Sequence, residues 1–303
     1  MYDLHGIIFA YSASPELGEL VRRRTAASIP FCGRYRLIDF ALSSMMNAGI
    51  RDVGVIMQRD YQSLLDHIGS GKNWDMSRRY GGLRMLPPFG LPEYHRGNYT
   101  GTIEALNAVA PYVRSIPQKH IALLLGSVCA NIDLTAAMRQ HVKTGAEITA
   151  ICSAGELTGS NHRYVIGDDG MVKQLLFDRT DPGEGIPSLE GYIINKDTLL
   201  RIMDKCKALN LYRFHKDAVS SFLAEGGRMA AYVHEGYAAS IRSVADYYQC
   251  SMDMLNGELR RQLFPAERPI RTRAHEEVST YYGENAGSKN SLVADNCIIE
   301  GSV

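Results

Sequence analysis

The sequence predicts an α/β fold with a largely parallel sheet, and three observations carry that prediction. Through the first half, short apolar segments bounded by turn residues alternate with segments whose apolar residues recur at three- and four-residue steps. The chain has 303 residues, 45% of them apolar, which suffices for one large domain or for one with a smaller appendage. Its 33 basic and 33 acidic residues cancel, so no bulk field recruits nucleic acid or an anionic membrane.

The strand-like segments are Leu4 to Ala10, Val53 to Met57, Leu83 to Leu86, Ile121 to Leu125 and Ile148 to Cys152. Each is short and apolar throughout, as a strand buried on both faces must be. Between them, Arg36 to Asn47 places Leu37, Phe40, Ala41, Ser44 and Met45 on one helical face, and Gly49 supplies a stop. Thr102 to Val113 behaves in the same way. Tyr164 to Ile166 and Met171 to Phe177 flank Asp168-Asp169-Gly170, a hairpin signal because Asp-Gly accepts positive φ. A strand over Leu189 to Ile194, helices over Thr198 to Ala208 and Lys216 to Glu225, a strand over Met229 to Val233 and a helix over Ala245 to Leu255 complete the large domain, expected over 1–256.

From 257 to 290 the composition turns polar, with Pro265, Pro269, Gly283 and Gly287, and is expected to form a linker. From Ser291 to Val303, apolar residues recur near six-residue steps with small residues between, the pattern of a parallel β-helix coil. One coil cannot bury its own face, so 291–303 is expected to be the first coil of a truncated C-terminal domain.

No apolar run approaches the eighteen or so residues of a membrane span, and no cationic segment precedes the first apolar one. Cys32, Cys129, Cys152, Cys206, Cys250 and Cys297 stand singly without a C-x-x-C pair, which predicts reduced thiols in a cytoplasmic protein and no structural zinc. His67, His95 and His162 show no ligand spacing and are expected to be core or surface residues.

The block Pro30 to Ile50, PFCGRYRLIDFALSSMMNAGI, resembles the signature PFxGxYRLIDFxLSNxxNSGI of glucose-1-phosphate adenylyltransferases. Tyr99, Gly101 and Thr102 are similar to that family's YxGTxxA element, and Pro269 to Thr272 to its WPIRT element. The resemblance covers essentially the whole chain. It implies a Rossmann-like nucleotidyltransferase domain followed by a left-handed β-helix. It also implies the condensation of ATP with glucose 1-phosphate to ADP-glucose and pyrophosphate, for glycogen synthesis. Such phosphoryl transfer depends almost wholly on positioning phosphates and neutralising their charge.

The family residues that would do this are replaced. Its loop LAGGxGxRL brings backbone amides against the triphosphate, because glycine lacks a side chain, and adds an arginine. The matching stretch is Phe9-Ala10-Tyr11-Ser12-Ala13-Ser14-Pro15-Glu16-Leu17. Tyr11, Ser12 and Ser14 replace the glycines, and Glu16 replaces the arginine. The family's RAKPAVPF aligns on Arg24 to Phe31, so its phosphate lysine becomes Ala26. Its two metal carboxylates, in a GD element and a YWxDVGT element, align with Ser127 and Ser240. Serine is a poor Mg²⁺ ligand. Losing metal neutralisation alone costs roughly a thousandfold in rate or more.

The expectation is therefore a chain with no catalytic residue and no cofactor of its own, similar to the regulatory, GlgD-type subunit of the family. Mg²⁺ is implied only for a catalytic partner subunit, in a heterotetramer. Tyr99, Gly101, Thr102, Arg179 and Ser188 remain as candidates for sugar-phosphate binding, Ser188 lying near the family's SMGxYxF strand. Arg22, Arg23 and Arg24 remain as an effector or interface patch. Two alternatives stay open. One is a weakly active or repurposed transferase that uses Asp133 for metal, and the other is an effector-binding module. A homo-oligomer also stays open.

Overall fold

The computed structural model describes residues 3–11, 15–88, 99–157, 162–177, 185–274 and 276–301. Among the sequence-predicted positions, Ser12, Ser14, His95 and Arg179 lie outside the described residues. The elements run β1 (Leu4–Phe9), β2 (Pro30–Phe31), β3 (Tyr35–Arg36), α1 (Ile38–Asn47), β4 (Val53–Ile56), α2 (Gln62–Ile68) and β5 (Leu83–Leu86). Then come α3 (Thr102–Ala108), α4 (Ala110–Ser115), β6 (His120–Leu125), β7 (Val128–Ala130), α5 (Leu134–Thr144) and β8 (Ile148–Ser153). The hairpin β9 (His162–Ile166) and β10 (Val172–Phe177) follows, with β11 (Ile186–Asn195), α6 (Lys196–Ala208), a π-helical turn Phe214–Val219 and α7 (Ser220–Ala224). The last elements are β12 (Met229–His234), β13 (Ala238–Ser240), α8 (Val244–Asp253), α9 (Gly257–Leu263), β14 (Tyr281–Tyr282) and β15 (Ile298–Ile299).

Strands β10-β9-β11-β6-β1-β4-β5 form a sheet that β8 and β12 extend through β11. Pairs β1/β4, β1/β6, β4/β5 and β8/β12 are parallel, as the alternating pattern requires. β11 breaks the rule. It runs antiparallel to both β6 and β8, because it follows the hairpin directly rather than a crossover helix.

Side chains alternate across the sheet and build two cores. Ile7 and Phe9 of β1 pack with α3, α6 and the π-turn, whereas Ile8 and Ala10 pack with α1, α2 and α5. A smaller third cluster joins Leu17, Phe31, Phe40, Cys129, Ile241, Met254 and Leu263 beneath α8 and α9. The predicted helix over Thr102 to Val113 is two helices, interrupted at Val109 (φ −108°, ψ 22°) just ahead of Pro111. Pro111 has no N–H to continue the ladder, so α4 starts afresh with proline in its first turn.

The polar stretch after residue 256 is more ordered than its composition suggests. Asn256 caps α9 through Oδ1, which accepts from the N–H groups of Glu258 and Leu259. Asn131 Nδ2 donates to the carbonyls of Leu263 and Arg268 at 3.2 and 2.7 Å, and the indole N–H of Trp74 donates to the Arg271 carbonyl at 3.2 Å. These buried donors tie the segment to the main domain. β14 and β15 pair in parallel, with Tyr281 opposite Ile298. All six cysteines are free, and among the described residues no helix is long and apolar enough to cross a membrane.

Candidate functional site

The ends of β1, β6, β8 and β12, together with the start of the antiparallel β11, lie along one edge of the sheet. In open α/β sheets, ligands bind outside the carboxyl ends of parallel strands. At that edge Phe9 sits opposite Leu125, and the Gly126 N–H donates to the Phe9 carbonyl at 2.8 Å. A Cβ on Gly126 would stand 2.9 Å from the Ala27 Cβ, so glycine is required where these two segments meet.

The next residue is Ser127. The small pair β7/β13 places Ser240 opposite Val128, and the Ile241 N–H donates to the Ser127 carbonyl at 3.3 Å. Ser127 and Ser240, far apart in sequence, thus lie one step apart across this pair, and both are buried. On the resemblance, the family's two metal carboxylates would stand at these positions. Two hydroxyls carry no charge and leave a Mg²⁺ without the anionic oxygens it requires, so the donor set does not fit this ion. Asp133 does not replace them. Its Oδ1 caps α5 by accepting from the Ala136 N–H at 2.8 Å, and its Oδ2 lies 3.8 Å from Arg268.

The other predicted positions are scattered. Tyr11 packs edge-on against Phe9 and tilts against Tyr99, with centroids 6.1 and 5.8 Å away. On the resemblance this aromatic side chain stands where the family has its first loop glycine, and burial raises its phenol pKa. Glu16 is exposed on a 3₁₀ turn, and Ala26 is buried in the third hydrophobic cluster. Arg22 and Arg23 are exposed, Arg24 is partly so, and Arg22 pairs with Glu19 at 3.0 Å.

Gly101 precedes α3 in an extended conformation (φ −165°), and a Cβ there would lie 2.2 Å from the Tyr212 carbonyl oxygen. That same carbonyl accepts the N–H of Ile103 at 3.1 Å, while the Glu104 carboxylate accepts the Thr100 N–H. At the start of α3, of which Thr102 is the first residue, the N–H groups of Thr100 and Ile103 are thus taken by the protein itself. Ser188 is buried on β11, and its Oγ accepts the Glu190 N–H at 2.9 Å.

Next to Ser188 the structure assembles a cluster that the sequence did not flag. Glu190 occupies a bulge of β11 at φ 53°. Its Oε2 lies 3.3 Å from His215 Nε2, its Oε1 lies 3.7 Å from His162 Nδ1, and Oε1 also contacts the Arg242 guanidinium. The His162 and His215 rings are 4.3 Å apart. His215 Nδ1 meets the Tyr192 hydroxyl at 2.6 Å, which in turn meets the Tyr164 hydroxyl at 2.7 Å. Burial lowers His215 to about 4, so its imidazole is neutral near pH 7, and burial also lowers Arg242.

A signal for two of these residues was available. With Ser188 as the serine of SMGxYxF, Glu190 falls on the glycine, and Arg242 falls on the glycine of YWxDVGT. Charged residues stand at both glycine positions, and they touch.

The family model for nucleotidyl transferases matches residues 6–257. The chain belongs to this family. It is 29% identical over 298 residues to the glycogen biosynthesis protein GlgD of Bacillus subtilis (strain 168), covering 98% of this chain and 77% of that protein. GlgD of Geobacillus stearothermophilus is 32% identical over 322 residues, with 98% and 77% covered. The glucose-1-phosphate adenylyltransferase of Clostridium botulinum (strain Alaska E43 / Type E3) is 30% identical over 306 residues, with 99% and 79% covered. The nucleotidyl transferase domain and its mostly parallel sheet thus match the expectation from sequence.

Proposed function

We propose that this chain is a non-catalytic, modulating subunit that pairs with a catalytic glucose-1-phosphate adenylyltransferase in glycogen biosynthesis. One observation carries the reading: Ser127 and Ser240 are buried and lie one step apart across the β7/β13 pair, at the two positions where the resemblance puts metal carboxylates. Phosphoryl transfer needs that charge neutralised, and a partner subunit supplies the chemistry and its Mg²⁺. Similarity to GlgD proteins and to adenylyltransferases supports the pathway. In this reading the assembly is a cytoplasmic heterotetramer. The parallel pair β14/β15 supports a β-helical C-terminal region, which we read as left-handed.

Co-expression with a catalytic subunit tests the proposal. The expected result is co-purification, altered substrate or effector kinetics in the mixture, and background ADP-glucose formation by this chain alone. Robust turnover by the isolated chain, or a mixture that neither co-purifies nor changes kinetics, would sink it.

A further inference from the structure

We infer that His162, Glu190 and His215, residues other than Ser127 and Ser240, form a binding site for a first-row transition metal of the Zn²⁺ type. The three residues come from different elements: the first residue of β9, the bulge of β11 and the π-turn ahead of α7. Their donor atoms all lie within 4.8 Å of one another.

The His215 spacing suits a shared ion, and the longer His162 spacing leaves room for one. The two histidine–carboxylate distances are 3.3 and 3.7 Å, longer than the 2.7–2.9 Å typical of a charge-assisted hydrogen bond. Zn–N and Zn–O bonds of about 2.0–2.1 Å at tetrahedral angles give ligand-to-ligand edges of about 3.3 Å. Two imidazoles and one carboxylate are the donor set of zinc sites that keep a fourth position open, and they suit Mg²⁺ poorly.

Support for the ligands is already built. The Tyr192 hydroxyl at 2.6 Å from His215 Nδ1 fixes that ring with Nε2 toward Glu190, and Tyr164 anchors Tyr192 in turn. Phe177 packs edge-on against His162 at 5.4 Å. Glu190 holds a left-handed backbone conformation, which a non-glycine residue rarely adopts. Such strain persists where the surroundings over-determine it, and here it aims the carboxylate between the two imidazoles. A π-helical turn carrying His215 is a further irregularity of the kind found at functional sites.

Arg242 is the resident cation of this pocket. It contacts Glu190 Oε1, so an incoming metal takes Oε2 or displaces the guanidinium. Removing Arg242 therefore strengthens metal binding rather than weakening it.

The test uses the full chain, stripped with chelator and titrated calorimetrically with Zn²⁺ and separately with Mg²⁺, with Co²⁺ absorption as a spectroscopic report of ligand geometry. One Zn²⁺ per chain is expected, with tetrahedral-type Co²⁺ bands and no Mg²⁺ uptake. Glu190→Gln, His162→Asn and His215→Asn should each weaken Zn²⁺ at least tenfold, whereas Arg242→Gln should tighten it severalfold. Far-UV circular dichroism of the metal-free variants verifies their fold. Absence of saturable Zn²⁺ binding by the wild-type chain overturns the inference. So does Zn²⁺ affinity unchanged by all three ligand substitutions, or weakened by Arg242→Gln.

Discussion

Replacing Asp39 by alanine should break the support of the Arg36-to-Phe40 segment. Asp39 is fully buried at the start of α1. Its Oδ1 accepts from His67 Nε2 at 2.6 Å, and its Oδ2 accepts the Arg36 N–H at 2.9 Å. His67 is itself buried and packs edge-on against Trp74. Alanine leaves two buried donors without an acceptor, at about 1–3 kcal/mol each. We expect a loss of about 3–5 kcal/mol, which lowers the melting midpoint by roughly 6–20 °C in a domain of this size. Asp39→Asn keeps an acceptor and should lose about 1–2 kcal/mol. Urea unfolding of Asp39→Ala, His67→Ala and the double variant gives the coupling, expected above about 1.5 kcal/mol. A loss under about 1 kcal/mol for Asp39→Ala, or coupling under about 0.5 kcal/mol, would refute this account.

Three further outcomes are expected. His5 is buried beside Tyr112, and burial lowers its pKa to about 4 against 6.5 in the unfolded chain. The unfolded state therefore binds the extra proton first, so stability falls as pH drops from about 6.5 to about 4, by up to about 3 kcal/mol. Urea melts across that window should show a shallower decline for His5→Asn, and equal slopes would contradict it. Gly101→Ala drives a methyl onto the Tyr212 carbonyl and should destabilise by at least about 1–3 kcal/mol, measured by thermal melting. Wild-type chain should show no melting shift on adding Mg²⁺, whereas Ser127→Asp combined with Ser240→Asp should gain one of about 2 °C or more. A double variant indifferent to Mg²⁺ would show that the two positions do not converge on one ion.

Much of the fold was legible because each buried strand and amphipathic helix carries its own local pattern. Leu83 to Leu86 matches its strand to the residue, and β1, β4, β6 and β8 differ from their predicted limits by single residues. The break at Val109 and helix α9 were missed for different reasons. Proline at a helix start reads like proline inside one, and the polar surface of α9 hides the single buried Leu263 that docks it.

The nucleotidyl transferase framework is legible in the chain's local patterns and in the Pro30 to Ile50 block, and on the resemblance other residues stand where the family has its phosphate-handling ones. Which positions come together is a matter of long-range pairing. Ser127 reaches Ser240 through the pairing of β7 with β13, and His162, Glu190 and His215 converge through a hairpin, a bulge and a π-turn. No spacing rule detects such a cluster. The contacts between distant segments are fixed by strand register and by a left-handed kink at Glu190, which local periodicity does not encode.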